Sequence, residues 1–304
     1  MPLSRSRAWR TALLLVLPVA AACGRAPRPL ESAPRVAAAT IAPLADVLAR
    51  IAGPSWEVRT LVPPGTSPHV FEPTPREVRL VAPARLLVTV GAGYDRWAAQ
   101  LASACAPGAA LFDASAAVGV EGPSDASGHD HEEGEADPHW WLDPRLVQRS
   151  LGPLAERLAA IDPAGTDGYR QRAAAFAAEL VALDAEIGAS LAPVRGGGIL
   201  SAHNAWPRFA ARYGLRAVGS IEPVPGREPS PRDLAALVKT ARRERIRTLF
   251  TEPQFPPSAA RVVADEAGIR VATADPIGGV PGRSGYAELM RWNARVFREG
   301  LSPR

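Results

Sequence analysis

The chain has 304 residues, 47% hydrophobic and 22% charged, with a formal net charge of +4. This is ordinary globular composition, which excludes a disordered or fibrous chain and allows about two domains of roughly 150 residues each. The basic excess does not point to nucleic acid: Arg5, Arg7 and Arg10 sit in a leader-like segment, and without them the formal charge is +1.

Residues 1–22 are expected to be a signal peptide. The three arginines precede a short apolar run, Ala12 to Val19, that is too short to anchor in a bilayer. Ala20-Ala21-Ala22 then leads to Cys23. Small residues before a cysteine are similar to a bacterial lipobox, in which the cysteine is acylated and becomes the mature N-terminus. Ala20 stands where that motif usually carries leucine. Cys23 is thus the expected lipidation site, with plain A-x-A cleavage as the alternative, and on either reading the protein is exported. Residues 23–34 are proline-rich and polar, as a tether is. Cys105 is the only other cysteine, so no intramolecular disulfide is expected.

From residue 35 short apolar runs alternate with helical patterns. Strands are expected at 36–40, 58–62, 86–90 and 110–113, with helices at 42–52, from Thr74-Pro75 with Glu77, and at 94–104. Residues 119–137 break the alternation as a polar, acidic loop holding His129 and His131. Asp143-Pro144 opens one helix and Asp162-Pro163 a longer one. In the longer helix Tyr169, Ala173, Phe176, Leu180, Leu183 and Ile187 form one apolar stripe. At ~1.5 Å per residue it would run ~42 Å, enough to lie along two lobes. The alternation then restarts, with strands at 199–202, 216–219, 248–251 and 270–274 and helices at 205–213, from 231 to about 243, at 258–267 and at 286–299. The pattern predicts an α/β protein of two lobes, each a parallel β-sheet flanked by helices, joined by one long helix. The divisions are an N-terminal lobe at 35–161, the linking helix at 162–192 and a C-terminal lobe at 193–304.

Three histidines and one aspartate lie at turns or strand ends. His69 sits in PPGTSPHVFEP, His139 in DPHWWLDP, His203 at the end of ILSAH, and Asp275 in VATADP. Ligand crevices of parallel sheets lie at the carboxyl ends of strands, so the C-terminal lobe would present His203 and Asp275 and the N-terminal lobe His69 and His139. Their separations of 70, 64 and 72 residues make no local motif. They suit a centre assembled between lobes, and three imidazoles with a carboxylate make a tetrahedral zinc shell.

These stretches, with SAHNAWPRFAARYGL, TEPQF and ADPIGG, resemble the cluster A-I metal-binding lipoproteins, the zinc- and manganese-specific solute-binding proteins of bacterial ABC transporters. The resemblance covers about residues 35–300. It implies metal ligation by His69, His139, His203 and Asp275. A histidine at the third position implies Zn²⁺, with Mn²⁺ as the alternative because manganese-type members carry Glu there. Glu252 is a partner of the site or an alternative ligand, Glu72 either orients His69 or serves the helix entry, and His129 and His131 are solvated loop residues, with an auxiliary metal-capturing loop as the alternative. The implied protein is not an enzyme. It is a monomer that hands zinc to an ABC transporter permease, sits in the periplasm or on the outer face of the cell membrane through Cys23, and binds no nucleic acid. A zinc-dependent hydrolase is the rival outside the class; the chain has no HExxH, and four ligands would close the shell.

Overall fold

A computed structural model describes residues 34–121, 137–223 and 226–303. The expected signal peptide, Cys23 and the loop histidines His129 and His131 lie outside the described residues.

The first sheet contains β1 (Arg35–Ala39), β2 (Trp56–Thr60), β3 (Ala84–Thr89) and β4 (Ala110–Asp113), all parallel, in the order β2-β1-β3-β4. The second contains β5 (Gly198–His203), β6 (Arg216–Glu222), β7 (Thr248–Thr251) and β8 (Arg270–Thr273), also parallel, in the order β6-β5-β7-β8. The same winding thus occurs twice. In each lobe the connections reverse direction beside the first strand, which opens a crevice at the carboxyl ends of the two central strands. The central strand β1 is buried from Val36 to Ala39, and its alanines let structure pack closely on both faces, as a covered parallel sheet requires.

Helix α1 (Ala42–Ala52) buries Leu44, Val47, Leu48 and Ile51 and stops at Gly53, whose positive φ of 75° suits a residue without Cβ. Helix α2 (Pro75–Val81) starts with the expected capping box between Thr74 and Glu77. Helix α3 (Ala98–Ala102) is shorter than the 94–104 expected. The residues before it are taken up by Asp95, whose buried carboxylate accepts hydrogen bonds from Thr40 Oγ1, Val90 N and Gly91 N and so stitches the ends of β1 and β3 together. A short helix α4 (Ala114–Val118), capped by Asp113, was not foreseen because five residues carry no periodicity.

Helices α5 (Pro144–Ile161) and α6 (Thr166–Leu191) follow. Helix α6 begins after a 3-10 turn at Pro163–Gly165 and spans 26 residues, ~39 Å at ~1.5 Å each. Its buried stripe is the one read from the sequence, extended by Leu191. It meets both lobes: Arg50 of α1 pairs with Glu179 at 2.6 Å, and Arg291 of α10 (Tyr286–Leu301) pairs with Glu186 at 2.8 Å. Helices α7 (Pro207–Tyr213), α8 (Pro231–Arg243) and α9 (Ser258–Ala267) complete the second lobe. One buried apolar cluster runs from Leu48 through Trp141 and Phe176 to Phe250 and Phe297, so the lobes share a core. Hydrogen bonds tie them as well: Tyr286 donates from its backbone N–H to Asp46 (2.9 Å) and from its buried hydroxyl to the Trp141 carbonyl (2.8 Å).

At the base of α6, Tyr169 donates its hydroxyl hydrogen to Asp162 (2.6 Å) and accepts from the Trp56 indole (2.8 Å). Tyr169→Phe leaves both buried partners short of a bond. Urea denaturation is expected to show a loss of ~1–3 kcal/mol, with metal stoichiometry unchanged.

Candidate metal centre

The segment after β2 is built by prolines. It turns at Pro63–Thr66 and again in a 3-10 turn at Pro68–Val70, and the Trp97 indole fixes this second turn by donating to the Pro68 carbonyl at 2.9 Å. His69 is thereby held over the first lobe, edge-on to Tyr94 with ring centres 4.3 Å apart. His139 precedes the 3-10 turn Trp140–Leu142. Both tryptophans are fully buried and act as anchors: Trp140 donates to the Val90 carbonyl at the end of β3 (3.1 Å), and Trp141 reaches across to the Pro276 carbonyl (2.7 Å). His203 is the last residue of β5, and Glu252 follows the last residue of β7. Both stand at the switch point of the second sheet.

The three imidazoles converge. Nε2 of His139 lies 3.1 Å from Nε2 of His69 and 3.2 Å from Nε2 of His203. The potential ligand atoms of the three residues all lie within 4.8 Å of one another. A tetrahedral zinc with Zn–N bonds of 2.0–2.1 Å separates its ligand nitrogens by about 3.3–3.4 Å. The observed spacings are close to that edge.

Two carboxylates fix which nitrogen is free. Asp137 Oδ1 takes the backbone N–H of His139 (2.9 Å) and faces its Nδ1 (2.8 Å). Glu252 Oε2 lies 2.6 Å from Nδ1 of His203, while its Oε1 accepts from the Trp206 indole at 3.1 Å. The Asp137 bond keeps the proton on Nδ1 of His139 and leaves its Nε2 as the free nitrogen, while Glu252 stands beside Nδ1 of His203 without a well-aligned hydrogen bond. Burial raises the Asp137 carboxyl, but its bonds to His139 and the charge of Arg208 outweigh this and hold it below its ordinary value. Arg208, from α7 in the second lobe, grips the Asp137 backbone carbonyl through Nε at 2.8 Å.

Burial pushes His69 well below the ordinary histidine value, and the charges of His139 and His203 lower it further. Burial also lowers His139, although Asp137 opposes the shift. Both rings are therefore neutral near pH 7 and ready to ligate.

Asp275 is the fourth of the expected ligands. It lies beyond β8 and is 2% exposed, but it is not among the converging groups. Its carboxylate is engaged elsewhere: Oδ2 by Arg283 Nε at 2.6 Å, Oδ1 by the backbone N–H groups of Ile277 (3.1 Å) and Gly278 (2.9 Å) and by Gln254 (3.2 Å). Glu252 is likewise outside the converging set and backs His203 instead. Glu72 is exposed and is not part of the cluster. The sequence reading missed Asp137, Arg208 and Arg283. Asp137 was hidden in the acidic loop, although its place two residues before His139 was a usable signal.

Two lobes that share a long helix and close their crevices on one histidine cluster define the class: a two-lobed solute-binding protein. The chain belongs to the family described as zinc-uptake complex component A, periplasmic (ZnuA), whose model matches residues 38–300. It is 31% identical over 171 residues to the high-affinity zinc uptake system protein ZnuA of Brucella suis, covering 56% of this chain and 51% of that protein. The chain thus spans about half the length of that curated relative. It is 24% identical over 276 residues to the protein of the same name from Bacillus subtilis, covering 86% of each chain. Among solved structures, a crystal structure of ZnuA superposes with a TM-score of 0.76 at 29% identity, over 88% of this chain and all of that one.

Two outcomes test the site. Glu252→Gln frees the His203 tautomer and should weaken Zn²⁺ binding by about 10–100-fold in competition titrations with a fluorescent chelator. The metal-free protein should lose thermal stability as pH falls from about 6.5, because the unfolded chain takes up protons that His69 and His139 refuse when folded. Above that pH the two rings are neutral in both states and contribute no slope.

Proposed function

We propose that this protein captures Zn²⁺ between its lobes outside the cytoplasm and delivers it to the permease of an ABC importer. The observation that supports this best is the convergence of three imidazoles, with Nε2 of His139 at near-zinc spacing from the other two and carboxylates beside the Nδ1 atoms of His139 and His203. His69, His139 and His203 form the ligand set on this reading. Asp275 stands near the same crevice as a further oxygen donor that its present partners occupy. The all-nitrogen donor set favours zinc, whereas manganese prefers oxygen-rich shells, so the manganese alternative is not favoured. The names of the relatives agree with zinc uptake. Membership of a family described as a zinc-uptake component argues against hydrolysis.

The periplasmic description of the family fits an exported protein, and among the described residues no helix is long and apolar enough to cross a membrane. We read residues 1–22 as the signal peptide, Cys23 as the point of acylation, 23–34 as a tether and the mature protein as a monomer. His129 and His131 would gather zinc near the entrance. Because α6 is ion-paired to both lobes, release is expected through a modest rocking of the lobes when the permease docks, rather than through a wide hinge.

The test is metal content. The protein starting at residue 35 is loaded from a mixture of Zn²⁺ and Mn²⁺, desalted and measured by native mass spectrometry. One zinc per chain is expected, with His203→Ala losing at least about 100-fold in affinity, since one of three ligands is removed. Manganese preference, or zinc retention by His203→Ala, would overturn the assignment.

A further inference from the structure

We propose that Tyr94 is the positioning residue of His69, the one histidine of the cluster that no carboxylate orients, and that its ring sets how tightly and how long the site holds Zn²⁺. The inference deepens the zinc reading above and rests on it.

The three imidazoles are not held alike. His139 has Asp137 on its Nδ1, and His203 has Glu252 beside its own. Among the described residues the His69 side chain has Nε2 of His139 as its one hydrogen-bonding neighbour. What fixes the ring is Tyr94: the two ring centres are 4.3 Å apart and the planes meet at 66°. The same tyrosine ring meets His139 at 5.4 Å and 82° and Trp141 at 4.9 Å and 68°. Such edge-to-face contacts are attractive and directional, because the positive rim of one ring meets the negative face of another. Tyr94 is 4% exposed, so solvent does not compete for that position. All these contacts are made by the ring, and among the described residues the hydroxyl has no hydrogen-bond partner.

The backbone imposes this placement. After β3 ends at Thr89, Gly91, Ala92 and Gly93 take consecutive positive φ of 78°, 49° and 78°. Glycine enters that region freely and alanine rarely does; Ala92 is one of two non-glycine residues there among the described residues. The turn is pinned from several sides. Asp95 accepts from the backbone N–H groups of Val90 and Gly91, the Ser115 hydroxyl accepts from Ala92 N (2.9 Å), and Tyr94 N donates to the Gly91 carbonyl (3.0 Å). A Cβ at Gly91 would collide with the Asp113 carboxylate and the Ser115 hydroxyl, so the turn lies tight against the end of β4 and the start of α4. A strained residue persists only where its surroundings over-determine it, and such residues gather where a side chain must be aimed. The side chain aimed here is Tyr94. A ligand ring held in place beforehand loses little freedom when the ion arrives, so removing the tyrosine ring should weaken the site mainly by hastening release.

The test compares the wild type with Tyr94→Leu, which keeps apolar bulk without a flat edge, and Tyr94→Phe, which restores the ring. Zn²⁺ affinity is read by chelator competition and release by stopped-flow transfer of zinc to excess chelator. Tyr94→Leu is expected to lose on the order of tenfold in affinity, mostly as faster release, and Tyr94→Phe to recover the wild-type values. Imidazole ¹⁵N spectra of the zinc-loaded proteins separate positioning from mere packing: the His69 signals should broaden or shift in Tyr94→Leu while those of His139 and His203 stay. Wild-type affinity in folded Tyr94→Leu, or a Tyr94→Phe as weak as Tyr94→Leu, overturns the proposal. Should Tyr94→Leu fail to fold, the same spectra of the metal-free wild type decide. One His69 ring orientation before zinc arrives supports the proposal, and exchange between orientations overturns it. A wild type that takes up no zinc would instead sink the zinc reading, and the metal-free spectra would still decide how His69 is held.

Discussion

Nε2 of His139 faces Nε2 of His69 and Nε2 of His203 at little more than 3 Å, and the rest of the site is built around that crowding. Nδ1 of His139 is bonded to Asp137, and Nδ1 of His203 lies 2.6 Å from Glu252. The surrounding structure serves to hold this crowding in place. The proline turns, the Trp97 anchor, the two buried tryptophans and the end of β5 each fix one ring, and the ion then gains from rings that need no reorganisation.

The charges around the centre are graded. Asp137 shares its charge with His139 and Arg208, and Asp275 is matched by Arg283. Glu252 has an indole N–H on one oxygen and His203 on the other. The carboxylates nearest the ligands therefore raise the basicity of the rings, while Asp275 is compensated. In a buried crevice such grading matters more than the number of acids, because charge left unmatched at low dielectric costs far more than in water.

The centre also joins the two lobes. His69, His139 and Asp137 come from the first lobe, and His203, Glu252 and Arg208 from the second. The bond between Arg208 and the Asp137 carbonyl and the pair made by Tyr286 with Asp46 and Trp141 span the same junction. Helix α6, in salt bridges with both lobes, limits how far they can separate. Occupancy of the site and the arrangement of the lobes are thereby coupled through short, directional contacts.

Local chemistry made much of this protein legible in the sequence. The parallel α/β alternation, the apolar stripe from Tyr169 to Ile187 and the capping box at Thr74 are signals carried by neighbours in the chain, and the structure shows all three. The early end of the 94–104 pattern was not legible, because Asp95 bonds to residues of β1 and the β3 end that are distant in sequence or already outside the helix. Three histidines could be singled out because each stands at a turn or strand end, where side chains of such folds reach a crevice. What those signals cannot carry is which groups meet. Asp275 looked equivalent to the histidines by position, yet the glycine turn that follows brings Arg283 onto it. Glu252 stood open between a partner of the site and an alternative ligand, and the pairing of β5 and β7 sets it beside His203. The sequence determined the elements and the set of donors, since both follow from residue type and short-range spacing. The tertiary structure alone decided which donors converge and which are neutralised, since that depends on contacts between residues tens of positions apart.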